Sequence, residues 1–344
     1  MDHTNDKAVV LGLSGGVDSA TAALRLQREG FSVTGVFLAN GDASDEDARA
    51  AAQRLGIDYR RVDMTELLER EVIAPFCRDF CAGSTPIPCI NCNERVKFKL
   101  LFAVADEIGA RWVATGHYAV MRTLPNGEAA LYKSPALNDQ SYMLYRLRPE
   151  WLPRLRFPLG DVPDKSETRA LAAQSGLSAA KKPDSMEICF IACGDHGDFI
   201  ESRGQTPPPG EFVDEQGNVL GTHRGIHRYT VGQRRGLGIA AEGRLYVKEI
   251  DAARNRVVLT LTDPKSAELA ARDVVWLDRS LQFCTSFHAF VRIRHSRMQY
   301  PATVYPTESG ARVVFDAPAR APSPGQSAVF YASDGRVLGG GFIE

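Results

Sequence analysis

The chain has 344 residues, enough for two or three domains rather than one. Hydrophobic residues make up 44% and charged residues 24%, a mixture that builds packed cores and excludes a disordered chain. With 41 basic against 42 acidic residues the net charge is −1, so a nucleic-acid partner has to be argued from local clusters.

Met1 to Lys7 are polar and lack the apolar stretch of a secretory signal. No later run approaches the ~18 apolar residues of a membrane span, so a cytoplasmic protein is expected. From residue 8 onward, apolar runs alternate with amphipathic ones. Ala8 to Leu13 reads as a strand, Asp18 to Glu29 as a helix carrying Ala22, Ala23 and Leu26 at helical spacing, and Phe31 to Leu38 as a second strand. Asp45 to Leu55 is an alanine-rich helix and Asp58 to Asp63 a short strand. Thr65 to Phe80 and Glu94 to Ile108 read as helices, and Arg111 to Gly116 as another buried strand. This alternation specifies an α/β domain, a Rossmann-like parallel sheet with helices on both faces and ligands at the carboxyl ends of its strands.

The rhythm breaks near residue 190. Thr206 to Gly210, with Pro207, Pro208 and Pro209 in succession, is a linker or tight corner. Hairpin signals follow at Val213 to Val219 and Tyr331 to Val337. Short strands at 287–294, 302–305, 312–315, 327–331 and 337–343 read as an antiparallel β-barrel. The expected organisation is a catalytic α/β domain over 1–195, a small central domain over 196–265 and a C-terminal barrel over 266–344.

A glycine pair directly after a buried strand, opening a helix, makes a phosphate cradle. Gly15 and Gly16 let the backbone approach an anion, and the helix start supplies N–H groups and dipole. Ser14 and Ser19 add hydroxyl donors, and Asp18 can hold Mg²⁺ against phosphate oxygens. No Gly-Lys-Ser/Thr follows, and the third glycine of a dinucleotide fingerprint is missing. The run Ser14-Gly15-Gly16-Val17-Asp18-Ser19 resembles the signature of the PP-loop ATP pyrophosphatases, which split ATP into AMP and pyrophosphate and adenylate an oxygen.

Seven cysteines, an odd number in a large chain expected in a reducing compartment, read as reactive or metal-binding thiols rather than a disulfide framework. Cys77, Cys81, Cys89 and Cys92 cluster in sequence, Cys189 and Cys193 lie near mid-chain, and Cys284 stands alone. Cys284 is assigned to packing as a small buried hydrophobe. The first four fit a zinc knuckle only with a short central spacing, and Cys77 with Cys81 falls at i, i+4 of a helix, outside the site. Cys92 would precede a helix over Asn93 to Leu101, whose N-terminus lowers a thiol pKa.

Six ordered motifs go further than the loop. Gly83-Ser84-Thr85-Pro86-Ile87-Pro88-Cys89-Ile90-Asn91-Cys92-Asn93 comes first, then Ala114-Thr115-Gly116-His117-Tyr118 and Asn138-Asp139-Gln140-Ser141-Tyr142. Asp184-Ser185-Met186-Glu187-Ile188-Cys189-Phe190-Ile191, Tyr229 to Gly238 and Pro324 to Val329 follow. In this order the chain resembles the tRNA-specific 2-thiouridylases from residue 8 to its end. The resemblance implies ATP-dependent replacement of the wobble-uridine 2-oxygen by sulfur. It implies nucleotide contacts at Gly12, Leu13, Ser14, Gly15, Gly16, Val17, Asp18, Ser19, Leu38 and Gly116. It makes Cys189 a persulfide carrier and Cys92 its partner, and gives tRNA contacts to Ile87, Pro88, Asn138, Asp139, Gln140, Arg294 and His295. A protein that donates sulfur, such as a cysteine desulfurase or sulfur carrier, is implied as a second partner.

Two positions depart from the family pattern: Ile87 stands where Asn is frequent, and Cys89 where a proposed acid–base Asp is frequent. With Cys89 present, Cys89, Cys92 and Cys189 offer three ligands for a [4Fe–4S] cluster, whose fourth iron would carry sulfide. The persulfide and cluster routes both stay open.

Two basic stretches supply local charge for RNA: His223 to Arg228 with Arg234 and Arg235, and Arg292 to Arg297, interleaved with Tyr229 and Tyr300. His117 lines the nucleotide pocket or serves structure, and Asp184 and Glu187 read equally well as surface residues. The alternatives are another PP-loop adenylating ligase or amidotransferase, which would not need Cys92 or Cys189, and a catalytically silent RNA-binding protein.

Overall fold

Val9, Val10 and Leu11 are apolar without interruption because the strand carrying them is covered on both faces. In the computed structural model, which describes residues 5–181, 188–191, 194–204 and 206–344, that strand, Asn5–Gly12, sits at the centre of a five-stranded parallel sheet. Its neighbours are Ser32–Ala39 and then Asp58–Asp63 on one side, Ala110–Ala114 and then Leu155–Arg156 on the other. Strand order therefore reverses beside Asn5–Gly12, where open α/β sheets form a ligand crevice.

By its internal contacts the chain divides into two units. The first comprises Met1–Val72, Cys89–Ser185 and Asp334–Val337, and contains this sheet. Helix Val17–Arg28 buries Ala22, Ala23 and Leu26 against Val9 and Leu11. Helix Glu46–Leu55 presents Ala48, Ala51 and Ala52 to Leu13 and Phe37, small residues that allow close approach. A further helical run begins at Pro88, not near Asn93: Pro88–Cys92, a π-helical turn Asn93–Lys97, then Phe98–Glu107. Pro88 opens this helix because the first position needs no N–H and suits the fixed φ of proline.

The second unit comprises Ile73–Pro88, Met186–Ser333 and Leu338–Glu344. It holds a four-stranded sheet in the order Tyr246–Asp251, Arg256–Thr260, Gly210–Val213, Val219–His223. The last two strands are the expected hairpin, closed by Asp214 accepting the N–H groups of Gln216 and Asn218. Phe212, Ile226, Tyr229, Val247 and Leu259 form its core.

Six antiparallel strands close into the expected barrel: Lys265–Trp276, Gly310–Arg320, Tyr300–Pro306, Phe287–Arg292, Ser327–Tyr331 and Val337–Ile343. Inward Val291, Val304, Val313 and Phe330 fill it. Lys265–Trp276 was not legible as a strand. It is alanine-rich, and pairing with Gly310–Arg320 and Val337–Ile343 overrides its helical composition.

Two expectations are corrected here. Cys284 is exposed beside Phe283, which is 83% accessible, so it is not a buried packing residue. Tyr229 lies in the core, with Phe212 and His223 edge-on at 5.1 and 5.7 Å, and does not offer its ring to a base.

Candidate active site

Leu13 carries the sheet ladder one step beyond its strand by donating N–H to the Val36 carbonyl (2.8 Å), and the glycine loop follows. Gly15 has φ +81°, and a Cβ there would stand 2.6 Å from Asp47 Cβ and 2.8 Å from the Ala48 nitrogen. Both the conformation and the space demand glycine. Ser14 and Ser19 fasten the loop across its mouth with hydroxyls 3.2 Å apart, while Ser19 Oγ donates to the Gly16 carbonyl at 3.1 Å. Gly16 caps helix Val17–Arg28 in extended conformation with no side-chain acceptor, leaving first-turn N–H groups for an anion. Leu13 and Val17 are buried in the core and shape the loop from behind.

Asp18, in that first turn, is held at both oxygens. Tyr118 donates its hydroxyl to Oδ1 at 2.9 Å, and Lys165 Nζ lies 2.9 Å from Oδ2. Tyr118 is wholly buried, and its phenol also bonds Thr168 Oγ1 at 2.9 Å. Burial, together with the Asp18 charge, raises its pKa well above the ordinary phenol value, so it remains a donor. Gly116 lies so close to the same turn that a Cβ would come within 2.9 Å of the Asp18 carbonyl carbon and the Ser19 nitrogen. Gly12 abuts Leu101, and Leu38 is half-buried near the end of strand Ser32–Ala39. His117 bonds Thr115 Oγ1 through Nδ1 at 2.7 Å and stacks on Phe98. Burial, aided by Lys97, holds its pKa well below that of an ordinary imidazole.

Sequence reasoning missed Lys165, Tyr118 and Thr168. Lys165 stands in the first turn of helix Lys165–Gln174, capped by Asp164, and only the fold brings it to Asp18.

Asn138 and Gln140 bond Tyr118, the donor to Asp18, and Asp139 bonds the turn that carries them. Gln140 and Tyr118 exchange hydrogen bonds, the Gln140 amide oxygen taking the Tyr118 N–H (3.0 Å) and the Tyr118 carbonyl taking the Gln140 N–H (2.8 Å). Asn138 hydrogen-bonds the phenol. The Asp139 carboxylate turns inward onto Ser134 N–H and Ser141 Oγ at 2.8 and 2.9 Å. Leu137, 64% accessible, is the outward side chain of this stretch.

In the same unit, Cys89 is half-buried and Cys92 buried, one helical turn apart in the helix that starts at Pro88. The helix start and its dipole therefore lie under Cys89, and Cys92 sits a turn deeper than its position before Asn93 implied. Asn93 Nδ2 bonds the Met143 carbonyl (3.0 Å) and Glu94 pairs with buried Arg146 (2.8 Å), fixing the cysteine helix to the turn after Gln140. Ile87 is half-buried and Pro88 buried.

The other thiols belong to the second unit. Cys189 is exposed in a tight turn closed by Ile191 N–H to the Ile188 carbonyl (2.9 Å). Cys77 is buried on helix Ala74–Cys81, and the half-buried Cys81 thiol has its pKa pushed up by burial and by Cys77, a setting of low reactivity. Cys193, Asp184 and Glu187 lie outside the described residues. Among the described residues no three His, Cys, Asp or Glu side chains form a metal-holding group.

Of the first basic stretch, His223, His227 and Arg228 are spent internally, Arg228 pairing with Asp195, Asp198 and Glu201. Arg224, Arg234 and Arg235 remain exposed. In the barrel, Arg294 is half-buried and donates to the Val231 and Ala321 carbonyls (2.9 and 3.1 Å), while His295 is exposed. Among the described residues no helix is long and apolar enough to cross a membrane.

A glycine loop between a central parallel strand and an uncapped helix, with a braced carboxylate in the first turn, defines a nucleotide-binding protein of the PP-loop class. The family models that match are a tRNA methyl transferase HUP domain over residues 7–193, a tRNA methyl transferase PRC-barrel domain over 197–260 and an aminomethyltransferase beta-barrel domain over 266–343. A tRNA-specific 2-thiouridylase MnmA of Methylobacterium radiotolerans is 43% identical, covering 99% of this chain and 94% of its own. Namesakes from Rhodopseudomonas palustris (43%, covering 98% of this chain and 91% of their own) and Cereibacter sphaeroides (41%, covering 97% and 94%) are similar in the same way. The chain belongs to the tRNA-specific 2-thiouridylase family.

Proposed function

We propose that this protein is a tRNA-uridine 2-sulfurtransferase that adenylates the 2-oxygen of the wobble uridine and replaces it with sulfur. The observation that carries the reading is Asp18, held by Tyr118 and Lys165 in the first turn behind the Ser14–Ser19 loop, in a chain of this family. The loop takes the ATP phosphates, and Asp18 would hold Mg²⁺, which would supply positive charge to the pyrophosphate leaving group. Attack of the uridine 2-oxygen on the α-phosphorus expels pyrophosphate and leaves AMP as the leaving group on carbon 2.

Sulfur then arrives on Cys189 as a persulfide charged by a donor protein. Its terminal sulfur forms the bond to carbon 2 as AMP departs. The Cys92 thiolate attacks the Cys189 sulfur, cleaving the S–S bond, so the sulfur stays on uridine and the two cysteines end as a disulfide. A cellular thiol reductant must then reset them. Cys89, one turn before Cys92, favours a competing route through an iron–sulfur cluster. In it Cys89, Cys92 and Cys189 would hold the cluster, which would supply the sulfide.

Ile87, Pro88, Asn138, Asp139, Gln140, Arg294 and His295 are proposed to lie along the RNA path, with exposed Arg234 and Arg235 on phosphates. Incubation with unmodified tRNA, ATP, Mg²⁺ and a persulfide donor should release AMP and form 2-thiouridine. AMP without thiouridine would favour another PP-loop ligase, and neither product a silent RNA binder. Iron and acid-labile sulfide analysis after anaerobic purification tests the route: an active, iron-free enzyme fits the persulfide.

A further inference from the structure

Cys189 and its neighbour Phe190 occupy the two central positions of the turn Ile188–Ile191, and their side chains have opposite fates. The thiol is exposed. The Phe190 ring is seated edge-on to Phe76 at 5.3 Å and tilted against Phe199 at 5.4 Å, and the next residue, Ile191, is buried. The seat belongs to a larger aromatic cluster within the second unit. Phe76 meets Phe80 at 4.9 Å, and Phe80 meets His196 at 4.5 Å.

Every wall of this cluster is independently fixed. Phe76 and Phe80 lie on helix Ala74–Cys81 and are almost fully buried. Phe199 lies on helix His196–Ser202, which begins with a reciprocal capping box between Asp195 and Asp198. That helix is clasped by Arg228, which bonds Asp195, Asp198 and Glu201 at 3.3, 2.7 and 2.7 Å. Gly197 permits the clasp, since a Cβ there would stand 2.8 Å from the Arg228 side chain. An exposed two-residue tip would wander unless one of its side chains were anchored, and Phe190 is the anchor.

We infer that Phe190 is the positioning residue for the sulfur-bearing thiol: its ring, locked between Phe76 and Phe199, sets the orientation of the turn and hence of Cys189. This rests on the reading of Cys189 as the residue that carries transferable sulfur. Phe190 touches no reacting atom and acts only through its neighbour. Its effect must therefore fall on sulfur transfer and not on adenylation.

The test compares Phe190→Ala, Phe190→Met and Cys189→Ser with the parent in the full tRNA reaction. For Phe190→Ala, AMP formation and the KM for tRNA should stay at parental values. The kcat for thiouridine should fall about a hundredfold, the scale of a reacting group misplaced by an ångström. Mass-mapped alkylation of Cys189 should change in rate, because the thiol is no longer held. Phe190→Met refills the seat with a flexible side chain that packs on aromatic rings, and should recover most of the thiouridine rate. Parental thiolation by Phe190→Ala beside an inactive Cys189→Ser would overturn the inference while leaving the role of Cys189 intact. Normal thiolation by Cys189→Ser would instead overturn the reading beneath it. Loss of AMP formation in step with thiolation, in both the Ala and Met variants, would mark Phe190 as structural and also overturn the inference.

Discussion

Tyr118 reaches Asp18 from beneath the nucleotide loop, donating its phenolic hydroxyl to Oδ1 at 2.9 Å while Lys165 takes the other oxygen. One hundred residues apart in sequence, the two are neighbours because strand Ala110–Ala114 lies beside Asn5–Gly12. Asp18→Ala should abolish AMP formation. Tyr118→Phe, which removes one hydrogen bond to a charged group worth about 1.5 kcal/mol, should lower it about tenfold. Pyrophosphate release assays on both variants decide this, and a parental rate in Tyr118→Phe would remove the phenol from the mechanism.

The glycine requirement is steric at two places. Gly15→Ala must hold an alanine at φ +81° against Asp47, and Gly116→Ala drives a methyl into the Asp18–Ser19 backbone. Each should cost about 1–3 kcal/mol of stability and disable nucleotide turnover. Thermal unfolding with AMP assays checks this. A variant that folds and turns over like the parent would mean the loop is not shaped as described.

Among the thiols, function and burial part company. Cys92→Ser should remove thiouridine formation and keep AMP release, because adenylation needs no sulfur. Cys284→Ser, exposed on the barrel, and Cys77→Ser, buried on helix Ala74–Cys81, should thiolate normally. Liquid chromatography of digested tRNA reads all three. Normal thiouridine from Cys92→Ser would refute the pairing with Cys189.

Acid should destabilise the fold below neutral pH through its histidines. His223 accepts the Gly225 N–H at Nδ1 (3.1 Å) and so offers Nε2–H to the Asn255 carbonyl (3.2 Å), a pattern only the neutral ring makes. Burial holds the pKa values of His223, His196 and His117 below the ordinary 6.5. The unfolded chain binds protons near that value that the folded chain refuses. This contribution is therefore complete above pH 6.5 and is lost as pH falls through the depressed folded values. Glu201, whose pKa is lowered from 4.5 first by Arg228, loses its contribution only at more acid pH. The Tm should drop between about pH 7 and 5 while imidazole NMR signals stay neutral. A flat Tm, or His223 titrating at its ordinary pKa, would contradict the assignment.

What could be read in advance followed from local chemistry. The strand Asp58–Asp63 matches its expected limits, because Gly56 ends the preceding helix in left-handed conformation and Asp63 bonds the next turn at Thr65. The phosphate loop was legible because strand, glycines and helix all agree within a dozen residues. What escaped was long-range. Lys165 and Tyr118 have no local signal tying them to Asp18. Lys265–Trp276 is a strand only because two neighbours make it one. The helix expected from Asn93 begins at Pro88, which moved its N-terminus from Cys92 to Cys89. Basic runs overstated their reach, since His227 and Arg228 are turned inward to clasp a helix.

The central claim is that the Ser14–Ser19 loop activates a tRNA uridine for sulfur to enter at carbon 2. The most direct measurement is mass spectrometry of nucleosides from unmodified tRNA incubated with this protein, ATP, Mg²⁺ and a persulfide donor, with AMP counted in parallel. The account requires 2-thiouridine at the wobble position, one AMP for each, and neither product from Asp18→Ala. Sulfur at another ring position, or AMP formed without any thiouridine, would contradict it.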